Sequence, residues 1–160
     1  YLPVDKPLAD PLLYYSGGYN AYADFLGKFI FTGLGDPLTT GVAAEAMNAL
    51  ITRQSNVYYY MFDWNKEPAP WNDVYGAAHA FDLPFFFGNF DKASVFSNTI
   101  IGTANEKGRL DLSEAMIASL SAFARTGNPN NAKLGVTWAP WPKQIEFNAS
   151  LTAKQITVTP

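Results

Sequence analysis

Three observations predict an α/β fold. A helix-like stretch at residues 36–53 runs into Val57-Tyr-Tyr-Tyr-Met-Phe62, strand formers with little polar alternation. A continuous apolar run of this kind suits a strand buried on both faces, as in a parallel sheet. A long helical signal follows from Asp111, and two short alternating stretches, Ile145–Phe147 and Gln155–Thr159, then read as a terminal hairpin or edge pair. Helix, buried strand, helix and strand is the order of an α/β unit.

Taken in order, residues 1–16 read as extended and irregular, because Pro3, Pro7 and Pro11 recur too closely for a regular helix. Gly17-Gly18 is a break. From Tyr19 to Phe31 the positions Tyr22, Phe25, Leu26, Phe29 and Ile30 have the spacing of an amphipathic helix, which Gly33-Leu34-Gly35 ends. Asp36 caps a second helix, with Pro37 in its first turn. Val42, Ala46, Ala49 and Leu50 form its apolar face, and Arg53 puts a cation in its last turn.

Residues 65–73 are loop by composition, and a short helical turn follows near Asp82–Phe87. Residues 91–110, polar and broken by glycine, read as an exposed connection. Asp111 opens the longest helix, with Glu114 placed as in a capping box. Leu112, Met116, Leu120 and Phe123 are its buried stripe, and Gly127 and Pro129 stop it. Trp138 to Pro142 is a rigid aromatic turn.

Composition narrows the function. The 160 residues suit a single domain, and 48% hydrophobic content excludes disorder. Aromatic residues make up 16%, which calls for a large core or a large neighbour. A net charge of −3 without a basic patch argues against nucleic-acid binding. With no cysteine there is no disulfide, no thiolate metal site and no cysteine nucleophile, and a single histidine makes a zinc site implausible. No apolar run approaches ~20 residues, so no membrane span is expected. Secreted, periplasmic and cytoplasmic locations all stay open for a soluble chain.

The single histidine, His79, follows the buried strand on a loop of small residues, Gly76, Ala77 and Ala78. α/β enzymes place proton carriers on such loops, although a lone histidine is more often structural. Asp63 and Glu67 could be imagined as a carboxylate pair for glycoside chemistry, but both fall where ordinary loop acids are expected.

The stretch around His79 reads G-A-x-H-x-x-D-L-P-F-F-F-G and resembles the histidine segment of the type-B carboxylesterase/cholinesterase family, with Asp82 where that family often has glutamate. Asp111-Leu-Ser-Glu-Ala-Met116 and Phe123-Ala-Arg-Thr-Gly-Asn-Pro-Asn130 resemble its late helix and Gly-Asn-Pro stop, and Trp138 with Trp141-Pro142 resembles its tryptophan-proline turn. The family usually continues to a tyrosine, where this chain has Lys143-Gln144.

This resemblance implies the C-terminal part of an α/β-hydrolase fold, with residues 1–160 one segment of a domain whose N-terminal two-thirds is not in the chain. In that fold the triad runs serine, acid, histidine. His79 would be the general base for the serine and the general acid for the leaving alcohol. No Gly-x-Ser-x-Gly elbow is present, so the serine and the acid are expected on an N-terminal portion of the same enzyme, as a second chain or fragment, and this chain alone is expected to be inactive.

The resemblance also points Trp71 and Phe81 toward the alcohol side of an uncharged small-molecule ester; ordinary aromatic packing accounts for them equally well. Asp82 is expected to cap the short helix after it. No cofactor is implied. The alternative is a non-catalytic, cholinesterase-like adhesion or binding module on the same fold.

Overall fold

The structure is a computed structural model that describes residues 41–69, 71–74, 76–77, 80–90 and 101–160. The extended start at residues 1–16, the helix from Tyr19 to Phe31 and the Asp36-Pro37 helix start lie outside the described residues.

The aromatic run forms β1 at Tyr59–Phe62, which pairs in parallel with β2 at Gln144–Ala149. β2 pairs antiparallel with β3 at Lys154–Thr159, and the order is β1-β2-β3. Tyr60 stands opposite Ile145 and Phe62 opposite Phe147, while Ile145 faces Val158 and Phe147 faces Ile156 across the hairpin. The expected terminal hairpin is present, but its first strand is the middle of the sheet and not an edge. The period of two is clean in β2, where Ile145, Phe147 and Ala149 are buried and the residues between them are half-buried. β1 departs from the expected burial on both faces: all its residues are half-buried, because among the described residues β2 is its one neighbour.

A parallel pair needs a long crossover. Among the described residues the crossover carries three helices: α2 at Trp71–Val74, α3 at Leu83–Phe87 and α4 at Glu106–Thr126. α4 lies on β2 and β3, and α3 lies on α4. The core between them gathers Trp64, Phe81, Phe85, Leu112, Met116, Trp138, Ile145 and Phe147. Phe85 is its hub, edge-on to Phe62 and Trp64 at 5.0 Å each and to Phe90 at 5.2 Å. Edge-to-face pairs of this kind add to plain area burial.

α4 begins at Glu106 and not at Asp111. Tertiary contacts make the earlier start. Asn105 is buried; its amide donates to the Lys66 carbonyl at 2.7 Å, and its Oδ1 accepts from Gly102 N and Arg109 Nε at 3.2 Å each. Gly108 lies flush against the β2–β3 turn, donating its N–H to the Leu151 carbonyl at 3.0 Å. Residues 101–110 are therefore no exposed connection, and residues 91–100 lie outside the described residues. The capping-box pair is also diverted. Asp111 accepts from the N–H of Lys154 at 3.0 Å and from its Nζ at 2.9 Å, whereas Glu114 pairs with Lys133.

The apolar stripe of α4 buries Leu112 and Met116 but leaves Leu120 and Phe123 exposed, at 42% and 41%. The helix ends as expected: Gly127 takes a left-handed φ of 73° and donates to the Phe123 carbonyl at 2.7 Å.

The helix expected at residues 36–53 is α1, described from Gly41 to Ile51. Arg53 lies beyond its end, in a turn closed by an N–H bond to the Leu50 carbonyl. Ala46, Ala49 and Leu50 are exposed, so the expected apolar face is not covered by described residues; the side chain of Val42 lies outside the description. The turn after Trp138 is clamped by Asn130, whose Oδ1 accepts from the Trp138 N–H at 2.7 Å and whose amide donates to the Trp138 carbonyl at 2.9 Å.

Candidate active site

The candidate site is the loop between β1 and α3. It leaves the sheet at Asp63, whose N–H still bonds the Phe147 carbonyl at 3.0 Å, and passes the buried Trp64. The expected loop at 65–73 is interrupted by α2, which Trp71 opens with its N–H on the Pro68 carbonyl at 2.9 Å. His79 lies outside the described residues, as do Tyr75 and Ala78.

Gly76, Ala77 and Ala80 are described, and the backbone turns sharply at two of them. Gly76 has φ 51°, and Ala80 has φ 70°, a left-handed conformation that a residue with a Cβ rarely adopts. Phe81 then inserts into the core at 3% exposed, and the Leu83 N–H closes a turn on the Ala80 carbonyl at 3.3 Å. Trp71 is half-buried.

Asp82 does not cap α3 with its side chain. Pro84 sits in the first turn and has no N–H to satisfy, and the N–H groups of Phe85 and Phe86 are taken by the Asp82 carbonyl at 3.0 Å each. Its carboxylate is thereby released for another partner. Tyr60, in the middle of β1, donates its hydroxyl to Asp82 Oδ2 at 2.7 Å. Burial, then the hydrogen bond and charge of Asp82, push the Tyr60 phenol well above its ordinary pKa, so it stays protonated and remains a donor. α3 is held from its other side by Ser113, whose Oγ donates to the Phe85 carbonyl at 2.8 Å.

The imagined carboxylate pair separates. Asp63 is exposed and accepts from the Asn148 amide at 3.1 Å, while Glu67 is 5% exposed with neither carboxyl oxygen hydrogen-bonded. Burial pushes Glu67 up to about 8. Sequence reasoning set Glu67 aside as an ordinary loop acid and missed Tyr60. No local pattern marks either: Tyr60 is one tyrosine in an apolar run, and its partner lies 22 residues away. A cavity of roughly 210 Å3 opens beside Tyr60, between Tyr58, Phe86, Leu120, Phe123 and Trp138; neither Trp71 nor Phe81 lines it.

Residues 22–158 match the Carboxylesterase family. The chain belongs to that family. It is 31% identical over 90 residues to para-nitrobenzyl esterase of Bacillus subtilis (strain 168), covering 56% of this chain and 16% of that protein. It is 28% identical over 127 residues to acetylcholinesterase of Bungarus fasciatus, covering 76% of this chain and 20% of that protein. Among solved structures it is similar to an esterase from the anaerobe Clostridium hathewayi, at TM-score 0.57 and 18% identity, over 96% of this chain and 29% of that one. That likeness is one of fold: the mixed sheet and its helices are part of an α/β-hydrolase fold. This carboxylesterase-family chain thus spans a fifth or less of the length of these two curated relatives.

Proposed function

We propose that this chain is the histidine-bearing C-terminal segment of a serine carboxylesterase that hydrolyses carboxylic esters. The nucleophilic serine and the triad acid lie on an N-terminal part of the same enzyme, present as a second chain or fragment. The match of residues 22–158 to the Carboxylesterase family carries this reading. The sharp backbone turns at Gly76 and Ala80, which bracket His79 in sequence on the connection that follows parallel strand β1 and α2, support it. So does the share of the curated relatives that the chain spans, 16% and 20%.

In this reading His79 takes the proton from the serine hydroxyl as the oxygen attacks the ester carbonyl. It returns that proton to the leaving alkoxide, so an alcohol departs and an acyl-enzyme remains. Water then repeats the two transfers and frees the acid. Trp71 and Phe81 are proposed to bound the alcohol side of an uncharged ester. Trp71 keeps accessible surface for direct contact, whereas Phe81, buried as it stands, shapes that wall from behind.

The test uses the assembled enzyme, treated with a serine-directed fluorophosphonate and read by denaturing mass spectrometry beside ester turnover. The label is expected on the N-terminal part. His79→Ala is expected to lower kcat by at least ~10³-fold, in line with the loss of a triad member. Turnover of the variant within a few-fold of the parent would sink the proposal.

A further inference from the structure

The loop that carries His79 has a described anchor on its downstream side, and that anchor reaches back to the sheet. Asp82 stands three residues after His79, and its carboxylate is held by the Tyr60 hydroxyl at 2.7 Å. The Tyr60 ring is itself fixed by edge contacts, at 5.2 Å to Phe86 and 6.5 Å to Trp138, with Phe147 tilted against it at 5.9 Å. The donor therefore sits on a strand with its ring packed against three aromatic neighbours, and the acceptor sits on the loop stem. The bond joins two elements that sequence separates by 22 residues. The other ties of the stem, Phe81 in the core and the Asp82 carbonyl at the start of α3, fix its depth and its continuation into the helix. The Tyr60–Asp82 bond is a polar tie that runs from this stem directly to β1.

We propose that Tyr60 is a positioning residue for His79, acting through Asp82 to hold the histidine loop in register with β1. This rests on the reading of His79 as the proton carrier. A charge-assisted bond has a short, directional geometry, which suits it to set a loop's position. Reacting groups held ~1 Å out of place lose up to about 10²-fold in rate, so a slackened loop acts on the chemical step before it acts on ester binding.

The experiment is a double-mutant cycle in the assembled esterase, reading kcat and KM separately. Tyr60→Phe keeps the ring and removes the donor; it is expected to lower kcat by ~10-fold with KM within about twofold. Asp82→Ala is expected to lose the same amount, and the double variant no more than either single, because both remove one bond. Asp82→Asn keeps an acceptor for the phenol and is expected to recover most of the loss. Ser113→Ala, which loosens α3 from α4 without touching the loop stem, is expected to lower thermal stability and leave kcat unchanged. Additive losses in the double variant, or full turnover by Tyr60→Phe, would overturn the proposal. His79→Ala belongs to the same series. If it is inactive while Tyr60→Phe is fully active, the positioning role alone fails. If it keeps full activity, the underlying reading fails and this inference fails with it.

Discussion

Among the described residues, Glu67 is the one at which burial and charge conflict most. Its carboxyl is 5% exposed, and among the described residues no side chain hydrogen-bonds either oxygen, so ionising it there carries a large desolvation cost that the neighbouring Lys66 charge offsets only in part. The group resolves this by staying protonated, with a pKa raised from 4.5 to about 8 by burial. The sign for stability follows. Between those two values the folded protein keeps a proton that the unfolded chain has lost. Stability therefore falls as pH rises through that window, by at most ~1.4 kcal/mol per pH unit, and is level below and above it. Glu67→Gln removes the titration. Thermal unfolding measured from pH 5 to pH 9 should show the variant gaining on the parent steadily, with the gain levelling off above pH 8; parallel curves would disprove the buried neutral acid. None of this was legible in the sequence. A glutamate between Lys66 and Pro68 in a proline-rich stretch looks like any solvated loop acid, and its burial comes from the fold around it. Asp82 shows the same limit in milder form. Sequence reading expected its side chain to cap α3, and it meets Tyr60 instead, because that choice depends on a strand distant in sequence.

Among the elements, α4 shows where local rules suffice and where they do not. Its C-terminus is a local event: Gly127 supplies the left-handed residue, Pro129 forbids continuation, and both were legible. Its N-terminus is a tertiary event, built from Asn105 and from the hairpin turn that Gly108 touches, so sequence reading placed it too late. Substitution at the two glycines separates these causes. Helix propensity favours alanine over glycine in a helix interior by about 1 kcal/mol. At Gly108, however, an added Cβ would lie 1.9 Å from the Ser150 carbonyl oxygen, which is backbone and cannot rotate away. The clash outweighs the propensity, and Gly108→Ala is expected to cost more than ~2 kcal/mol. At Gly127 the nearest atom to such a Cβ, Asn56 Nδ2, is at an ordinary 3.5 Å, so Gly127→Ala carries only the left-handed backbone cost of about 1 kcal/mol. Urea unfolding of both variants should rank Gly108→Ala as clearly the weaker protein. The Asp111–Lys154 tie adds a pH signature of opposite sign to that of Glu67. Hydrogen bonds from the Lys154 backbone and side chain hold the Asp111 carboxyl below its usual range, so its contribution is present at neutral pH and is lost as pH falls through its lowered folded value. Asp111→Asn should therefore narrow the stability difference between pH 7 and pH 3.

For the molecule as a whole, the described surfaces are unfinished in a consistent way. β1 has one described neighbour, and Leu50 and Ile51 of α1 and Leu120 and Phe123 of α4 are all more than 40% exposed, at 43%, 42%, 42% and 41%. Full burial of a large apolar side chain is worth ~1.5–3 kcal/mol, so each of these, about two-fifths exposed, forgoes roughly 1 kcal/mol. The aromatic content of 16% called for either a large core or a large neighbour, and composition does not say which faces stay exposed. If the proposed N-terminal part continues the sheet past β1, the backbone specifies which amides it must engage. The Asp63 N–H points at β2, where it bonds the Phe147 carbonyl. Successive N–H groups of a strand point to opposite edges, so Met61 also faces β2 while Tyr60 and Phe62 face the edge on which no described residue pairs. Hydrogen exchange on this chain alone should find the Met61 amide protected and those of Tyr60 and Phe62 fast. Adding the N-terminal part should slow Tyr60 and Phe62 and leave Met61 unchanged. Because an open, aromatic edge strand pairs readily with other chains, the isolated chain should also self-associate and bind a hydrophobic dye, and the N-terminal part should suppress both. If Tyr60 and Phe62 are already as slow as Met61 in the monomeric chain, their edge is satisfied from within these 160 residues, and β1 is not where the rest of the enzyme docks.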